Sequence, residues 1–213
     1  EEVELSGYTI ADITVANDYS TLVFSIEESP VIFVLDIDTG DLITHTVVSQ
    51  TTSQYGTGGV TAGYVDTLRY DPTQRLIVFD YLACGLTDVI CDTNNPSAYW
   101  AIGVLVLASG DFYYPFPSQP PTFDVGYPSF SNIDGRYIVF DVVNYAATNE
   151  SGIFSGIYMF DLYYGGEPIY VGTSDGTSDA LGYYGMPSFT ADDSGVAFAW
   201  RRDDGSRLIH VPL

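Results

Sequence analysis

Short apolar runs rich in β-branched and aromatic residues alternate along this chain with polar clusters of Gly, Pro, Asn and Asp. Ser20-Thr-Leu-Val-Phe24, Arg75-Leu-Ile-Val-Phe79 and Tyr137-Ile-Val-Phe140 are examples, each preceded by a cluster of turn-forming Asn, Asp, Pro or Gly. Short apolar runs of this kind, bounded by turn formers, read as strands. An amphipathic helix instead needs apolar residues every three to four positions, and that pattern is almost absent. The expectation is an all-β protein.

The strands are organised as a repeat. Tyr127-Pro-Ser-Phe-Ser131 returns as Met186-Pro-Ser-Phe-Thr190, and each copy leads through an acidic, Gly-containing turn into a strand carrying Phe140 or Phe198. Aligning on those phenylalanines adds Phe24 and Phe79, with the four anchors about 60 residues apart. Self-similarity at such a period marks repeat architectures. Each unit reads as a short inner strand, the anchor strand, a third strand and, after a tight turn, a fourth. The inner strands are Ile10–Ala16, Val65–Tyr70, Tyr127–Ser131 and Met186–Thr190. Four antiparallel strands per repeat describe a blade of a β-propeller. The blade units are residues 8–49, 64–117, 126–172 and 185–213, within a single domain or propeller fragment covering 1–213. The last unit stops before a fourth strand. Residues 1–5 could supply it and close a four-bladed ring; alternatively, the units belong to a larger propeller, for example one of six blades.

Composition narrows the partners. Asp and Glu number 28 against 6 Lys plus Arg, for a formal charge of -22, and every base is Arg. Such a surface repels nucleic acid and anionic membranes, leaving cations, basic proteins and neutral glycans. Aromatic residues make up 15% of the chain, and 18 are Tyr, a residue suited to half-wet recognition surfaces. No apolar run is long enough to cross a membrane as a helix. Cys84 and Cys91 lie in one polar stretch and predict a disulfide closing a small loop, hence an oxidising compartment; two reduced structural thiols are the alternative. With Glu1 as its first residue, the chain reads as a processed, secreted or periplasmic protein.

Residues 127–172 resemble the TolB-type propeller repeat. The match rests on Pro128-Ser-Phe-Ser131, Asp134-Gly-Arg136, Ile138-Val-Phe140, Gly156-Ile-Tyr-Met-Phe-Asp161 and Gly165-Gly-Glu-Pro168. It extends in part over 186–213 and reaches the remainder only in outline. Members of that family serve as protein-binding scaffolds, as domains of peptidases and occasionally as enzymes, so the resemblance implies a scaffold and transfers no catalytic residue.

Function is therefore sought in what does not repeat. The long segments Gln50–Gly63, Tyr81–Tyr99, Ser118–Gly126, Val143–Ser155 and Gly172–Gly185 all connect strands at the same end of the blades. Loops longer than about 12 residues are usually functional or disordered. The face they form would carry Tyr55, Tyr64, Asp88, Asp92, Asn94, Tyr99, Trp100, Tyr145, Tyr183 and Tyr184, joined by Asp124 and Asn144. Tyr with small polar residues suits a protein or glycan ligand; the alternative is that these Tyr cover their own loops. Asp175 and Asp179, four apart in one loop, are the candidate metal ligands, for a structural calcium. No other cofactor is indicated. Asp80 and Asp141 both follow an anchor Phe, a repetition that points to a structural hydrogen bond between blades, with a glycosidase-type carboxylate pair as the alternative. Gly172-Thr-Ser-Asp-Gly176 fits a nucleophile motif but has no following helix, and His45 and His210 fall on strands. The reading is a non-catalytic extracellular or periplasmic binding or assembly module. Its alternatives are a propeller enzyme or peptidase-associated propeller, and a structural subunit of an extracellular assembly.

Overall fold

A computed structural model describes residues 7–47, 60–85, 91–95, 98–115, 123–149, 152–172, 182–202 and 205–213. Fifteen strands form four antiparallel sheets, each in simple meander order, and no helix occurs among the described residues. The first sheet holds β1 (Ile10–Val15), β2 (Thr21–Ile26), β3 (Val31–Asp36) and β4 (Leu42–Thr46). In the second are β5 (Val60–Tyr70), β6 (Leu76–Gly85), β7 (Tyr99–Val106) and β8 (Asp111–Tyr113). The third comprises β9 (Phe123–Phe130), β10 (Tyr137–Asn149), β11 (Gly152–Asp161) and β12 (Ile169–Gly172). Only three strands make the fourth: β13 (Gly182–Phe189), β14 (Gly195–Arg202) and β15 (Gly205–Pro212). The all-β, four-sheet architecture expected from the repeat is present, including the unit that lacks its outer strand. Residues 1–5, expected as a closing strand, lie outside the described residues.

Each hairpin begins with the same local chemistry. Asp18, Asp134 and Asp192 accept a hydrogen bond from the backbone N–H two residues on, at Ser20 (3.0 Å), Arg136 (2.9 Å) and Ser194 (3.2 Å). Asp71 does the same to Thr73 and also caps Arg75 and Leu76. An aspartate that bonds its own chain two residues ahead mimics a backbone turn, which is why Asp recurs there. Every inner strand also carries a bulge against its anchor strand, between Ile10 and Asp12, between Val65 and Leu68, opposite Val139–Asp141, and between Gly185 and Ser188. A bulge bends the strand and re-aims its side chains. The bulged segments of all four inner strands line one axial cavity of about 460 Å³.

The sheets stack in chain order. Phe79 of the second sheet packs on Val23 and Ile32 of the first. Phe140 packs on Val78, Ile102 and Val104 of the second, and Phe198 on Val139 and Ile157 of the third. Phe79, Phe140 and Phe198 thus face the preceding sheet, while Val23, Val78 and Val139 face the following one. Burying such side chains stabilises the stack by about 2 kcal/mol each.

The expected long loop Val143–Ser155 is largely strand. β10 pairs with β11 out to Asn149 and Gly152, forming a hairpin that extends past the sheet. Val142, Val143, Tyr145 and Thr148 have the β-branched and aromatic character of an extended strand, and that preference prevails over the polar residues between them. Blade two behaves similarly: Val60 pairs with Gly85, so both strands reach into segments expected as loop.

Candidate functional site

The axis-facing end of the anchor strands builds the site. Asp80 follows Phe79 directly and is 3% exposed. Its Oδ1 accepts the N–H of Thr67 at 2.7 Å within its own sheet, and its Oδ2 accepts the N–H of Tyr127 at 2.8 Å in the next sheet. Asp141, 2% exposed, occupies the same place one sheet later and accepts the N–H of Met186 at 3.3 Å. Tyr127 and Met186 are the residues before Pro in the repeated phrase, and both adopt left-handed backbone, with φ of 49° and 56°. Non-glycine residues seldom do so. Each is held there by a carboxylate from the sheet before. The repeated aspartates therefore tie sheet to sheet, as their repetition suggested.

They also meet. A Cβ added to Gly126 would lie 3.1 Å from Asp80 Oδ2 and 3.5 Å from Asp141 Oδ1, so both carboxylates border the same small volume. Asp66 and Asp124 join them in lining a cavity of about 300 Å³, together with Trp100 and Tyr127. Asp124 is oriented by the N–H of Trp100 at 2.9 Å. The edge of the cavity carries an aromatic pair, Tyr64 and Trp100, whose rings meet at 86° with centroids 5.3 Å apart.

Electrostatics here are set by burial. Burial pushes the Asp80 carboxyl up to about 7, against the N–H groups of Tyr127 and Thr67, which favour the ionised form. Asp66 is raised by burial first and by Asp12 second, with Arg69 opposing. The phenols of Tyr64 and Tyr127 are raised too, by burial and then by the surrounding carboxylates. Arg69 acts on Asp66 and Arg201 on Tyr127, so cations lie beside this charge. Among the described residues, no three His, Cys, Asp or Glu are grouped so as to hold a metal ion. The carboxylates ring a space larger than an ion.

Of the residues expected on the ligand face, Tyr64 and Trp100 are brought together at this cavity, and Asp92 is close enough to act on the Tyr64 phenol. Asn94 is exposed beside Asp92, whose Oδ1 accepts its N–H at 2.9 Å. Tyr99 and Tyr184 are 5% and 4% exposed and belong to the cores between sheets. Tyr184 stacks on Trp200 at 5.8 Å. Both lie one pleat inside the sheets, so neither offers its ring to a ligand. Tyr145 and Tyr183 are placed by backbone only, on β10 and β13. Tyr55, Asp88 and the candidate metal pair Asp175 and Asp179 lie outside the described residues. Cys84 and Cys91 form the expected disulfide, with Cα atoms 5.6 Å apart. Sequence reasoning missed Asp66 and Tyr127. Asp66 had a signal: at its place in the repeat the other units carry Ala11, Gly126 and Gly185.

No family model and no curated protein matches the sequence. Solved structures do match. The chain is similar to KlAtg21 in its complex with the coiled coil of AgAtg16, at 17% identity and a TM-score of 0.54, over 96% of this chain and 53% of that one. It is similar to the calcium-binding protein regucalcin from Agrobacterium tumefaciens, at 14% identity and a TM-score of 0.52, over 98% and 62%. A third is the Cps50 (Swd1) β-propeller domain of Myceliophteria thermophila, at 9% identity and a TM-score of 0.51, over 95% and 54%. The chain spans little more than half the length of these structures. What it has in common with them is the β-propeller fold.

Proposed function

We propose that this chain is a non-catalytic binding module of a secreted or periplasmic protein, and that it takes a basic segment of a partner protein into the acidic cavity between its second and third sheets. One observation carries the reading: Asp66, Asp80, Asp124 and Asp141 line a single cavity of about 300 Å³ with Trp100 and Tyr127. That volume fits the head of one Arg or Lys side chain, and Trp100 with Tyr64 at its edge offers ring faces to a cation, an interaction contributing about 0.5–2 kcal/mol. A net charge of -22 would steer basic partners toward the whole molecule. The KlAtg21 structure supports protein binding by a propeller of this kind. The disulfide and the resemblance of residues 127–172 to the TolB-type repeat support an exported protein.

The test is titration of an Arg- and Lys-rich peptide against the protein, read by tryptophan fluorescence and calorimetry. Binding should weaken with salt and drop at least about tenfold in both Asp66→Asn and Trp100→Ala. Salt-insensitive binding, or affinity unchanged in both variants, would overturn the reading. A second reading has its own observation: Asp80 and Asp141 border one volume and Asp80 is raised to about 7, where a carboxyl can serve as a general acid. Hydrolysis of a polysaccharide that disappears in Asp141→Asn would favour it over the binding module.

A further inference from the structure

We infer that the cavity between the second and third sheets selects arginine over lysine, and that Gly126 makes it selective by leaving the floor open between the carboxylates of Asp80 and Asp141. That selectivity presupposes the basic ligand proposed above. Gly126 stands opposite Asp141 in the register of β9 and β10. The left-handed glycines of the chain do not include it, so its backbone does not call for glycine. The space around it does. A Cβ there would lie 3.1 Å from Asp80 Oδ2 and 3.5 Å from Asp141 Oδ1. Both oxygens, one from each sheet, therefore lie within 3.5 Å of a single point, and one cation placed above that point can bond to both. The neighbouring seams each lack a part of this arrangement. The equivalent residues are Ser25, Asp66 and Asp80 between the first and second sheets, and Asp141, Gly185 and Ala199 between the third and fourth. Only the middle seam sets a glycine between two of these aspartates.

The chemistry of the floor separates the two basic side chains. Asp80 and Asp141 are 3% and 2% exposed, so a cation that reaches them must shed its water. A guanidinium is more weakly hydrated than an ammonium, and its planar fork of donors can serve two carboxylates at once. The ammonium of Lys is a compact, strongly hydrated point charge, better satisfied at the wetter rim. An ionised carboxylate has about four acceptor sites, so the clasp from Asp80 to Thr67 and Tyr127 can stay closed while a guanidinium binds. Trp100 lines the same cavity and offers a flat ring on which a guanidinium plane stacks. The protein's own arginine is engaged elsewhere: Asp12 holds Arg69 at 2.7 Å, and Arg69 lines the axial cavity instead. Among the described residues, no base lines the cavity between the second and third sheets.

The experiment is calorimetric titration above pH 7, where Asp80 is ionised, with three peptides of one sequence that differ at a single residue: Arg, Lys or citrulline. The Arg peptide should bind the wild type about tenfold or more tighter than the Lys peptide. Citrulline, planar but neutral, should bind weakest. In Gly126→Ala and in Asp141→Asn, each checked for folding by circular dichroism, the preference for Arg over Lys should shrink to about twofold or less. A substitution that merely loosened the fold would weaken both peptides alike and leave their ratio in place. Equal affinity of the wild type for the Arg and Lys peptides, a citrulline peptide that binds as tightly as Arg, or a preference that survives both substitutions overturns the inference. If the Arg and Lys peptides bind equally and both weaken in Asp66→Asn and Trp100→Ala, the selectivity alone falls and the basic ligand stands. If neither peptide binds, both fall.

Discussion

Asp80→Asn removes a carboxyl that the fold buries almost completely between two sheets. In the folded protein burial raises its pKa to about 7, against 3.8 for an unperturbed group. Between those values the folded chain holds a proton that the unfolded chain has lost. Stability changes with pH in proportion to protons bound by the unfolded state minus those bound by the folded state, so here it falls as pH rises. The contribution is fully present below about pH 4 and is lost as pH climbs through about 7. A shift of about three units corresponds to about 4 kcal/mol. Asn cannot ionise, so the variant lacks this slope. It also presents only one acceptor oxygen to the N–H groups of Thr67 and Tyr127, which adds a pH-independent cost of about 1 kcal/mol. The assay is chemical denaturation of both proteins from pH 4 to pH 8.5, taking the difference at each pH so that carboxyls common to both cancel. Asp192, lowered to about 2 by Ser194, is one of those common groups. The variant should gain on the wild type by up to about 4 kcal/mol from the acid to the alkaline end. A difference that stays level, or that moves in favour of the wild type as pH rises, refutes the assignment. The same titration has a functional counterpart: a cation in the cavity holds Asp80 ionised, so affinity for a basic peptide should decline below about pH 7.

Two further substitutions test the packing. Gly103 on β7 lies opposite Phe79, and a Cβ there would fall 2.4 Å from the ring tip of that fully buried side chain. Gly103→Ala should therefore cost about 1–3 kcal/mol by overpacking, measured as a lower urea midpoint with an unchanged slope. Reducing the Cys84–Cys91 bond releases a short loop and should lower stability by about 2 kcal/mol, read as a drop in melting temperature with reductant that is absent in a Cys84→Ser, Cys91→Ser double variant.

Much of the architecture was legible because it rests on local chemistry. Turn aspartates such as Asp134 bond to their own chain, and the apolar runs ending at Phe79 or Phe140 each lie within one strand, so both signals lie in a few consecutive residues. The clasp was half legible. The recurrence of Asp80 and Asp141 pointed to a bond between sheets, but nothing local pointed to its donor. The residue before a proline is ordinarily extended, and Tyr127 and Met186 are left-handed instead, because a carboxylate from a distant sheet holds their N–H groups. The cavity was the least legible feature. Its walls come from β5, β6, β7, β9 and β10, and their convergence depends on inner-strand bulges and on the angle between sheets. Tyr99 and Tyr184 were misplaced for a related reason: a strand that continues into a presumed loop carries its alternation along and turns every second ring inward.

The clasp decides where this chain can be divided. Asp80 and the N–H it holds belong to different sheets, as do Asp141 and Met186, so the smallest piece that contains a complete clasp is the end of one sheet plus the beginning of the next. A cut between β8 and β9 strands a buried carboxylate on one fragment and a left-handed residue without its restraint on the other. A cut in the turn of the β9–β10 hairpin, after Tyr127 and before Asp141, leaves both clasps whole, though it opens the third sheet. Fragments split at the hairpin should therefore reassemble from solution more readily than fragments split between sheets, and the chain should melt as one cooperative block.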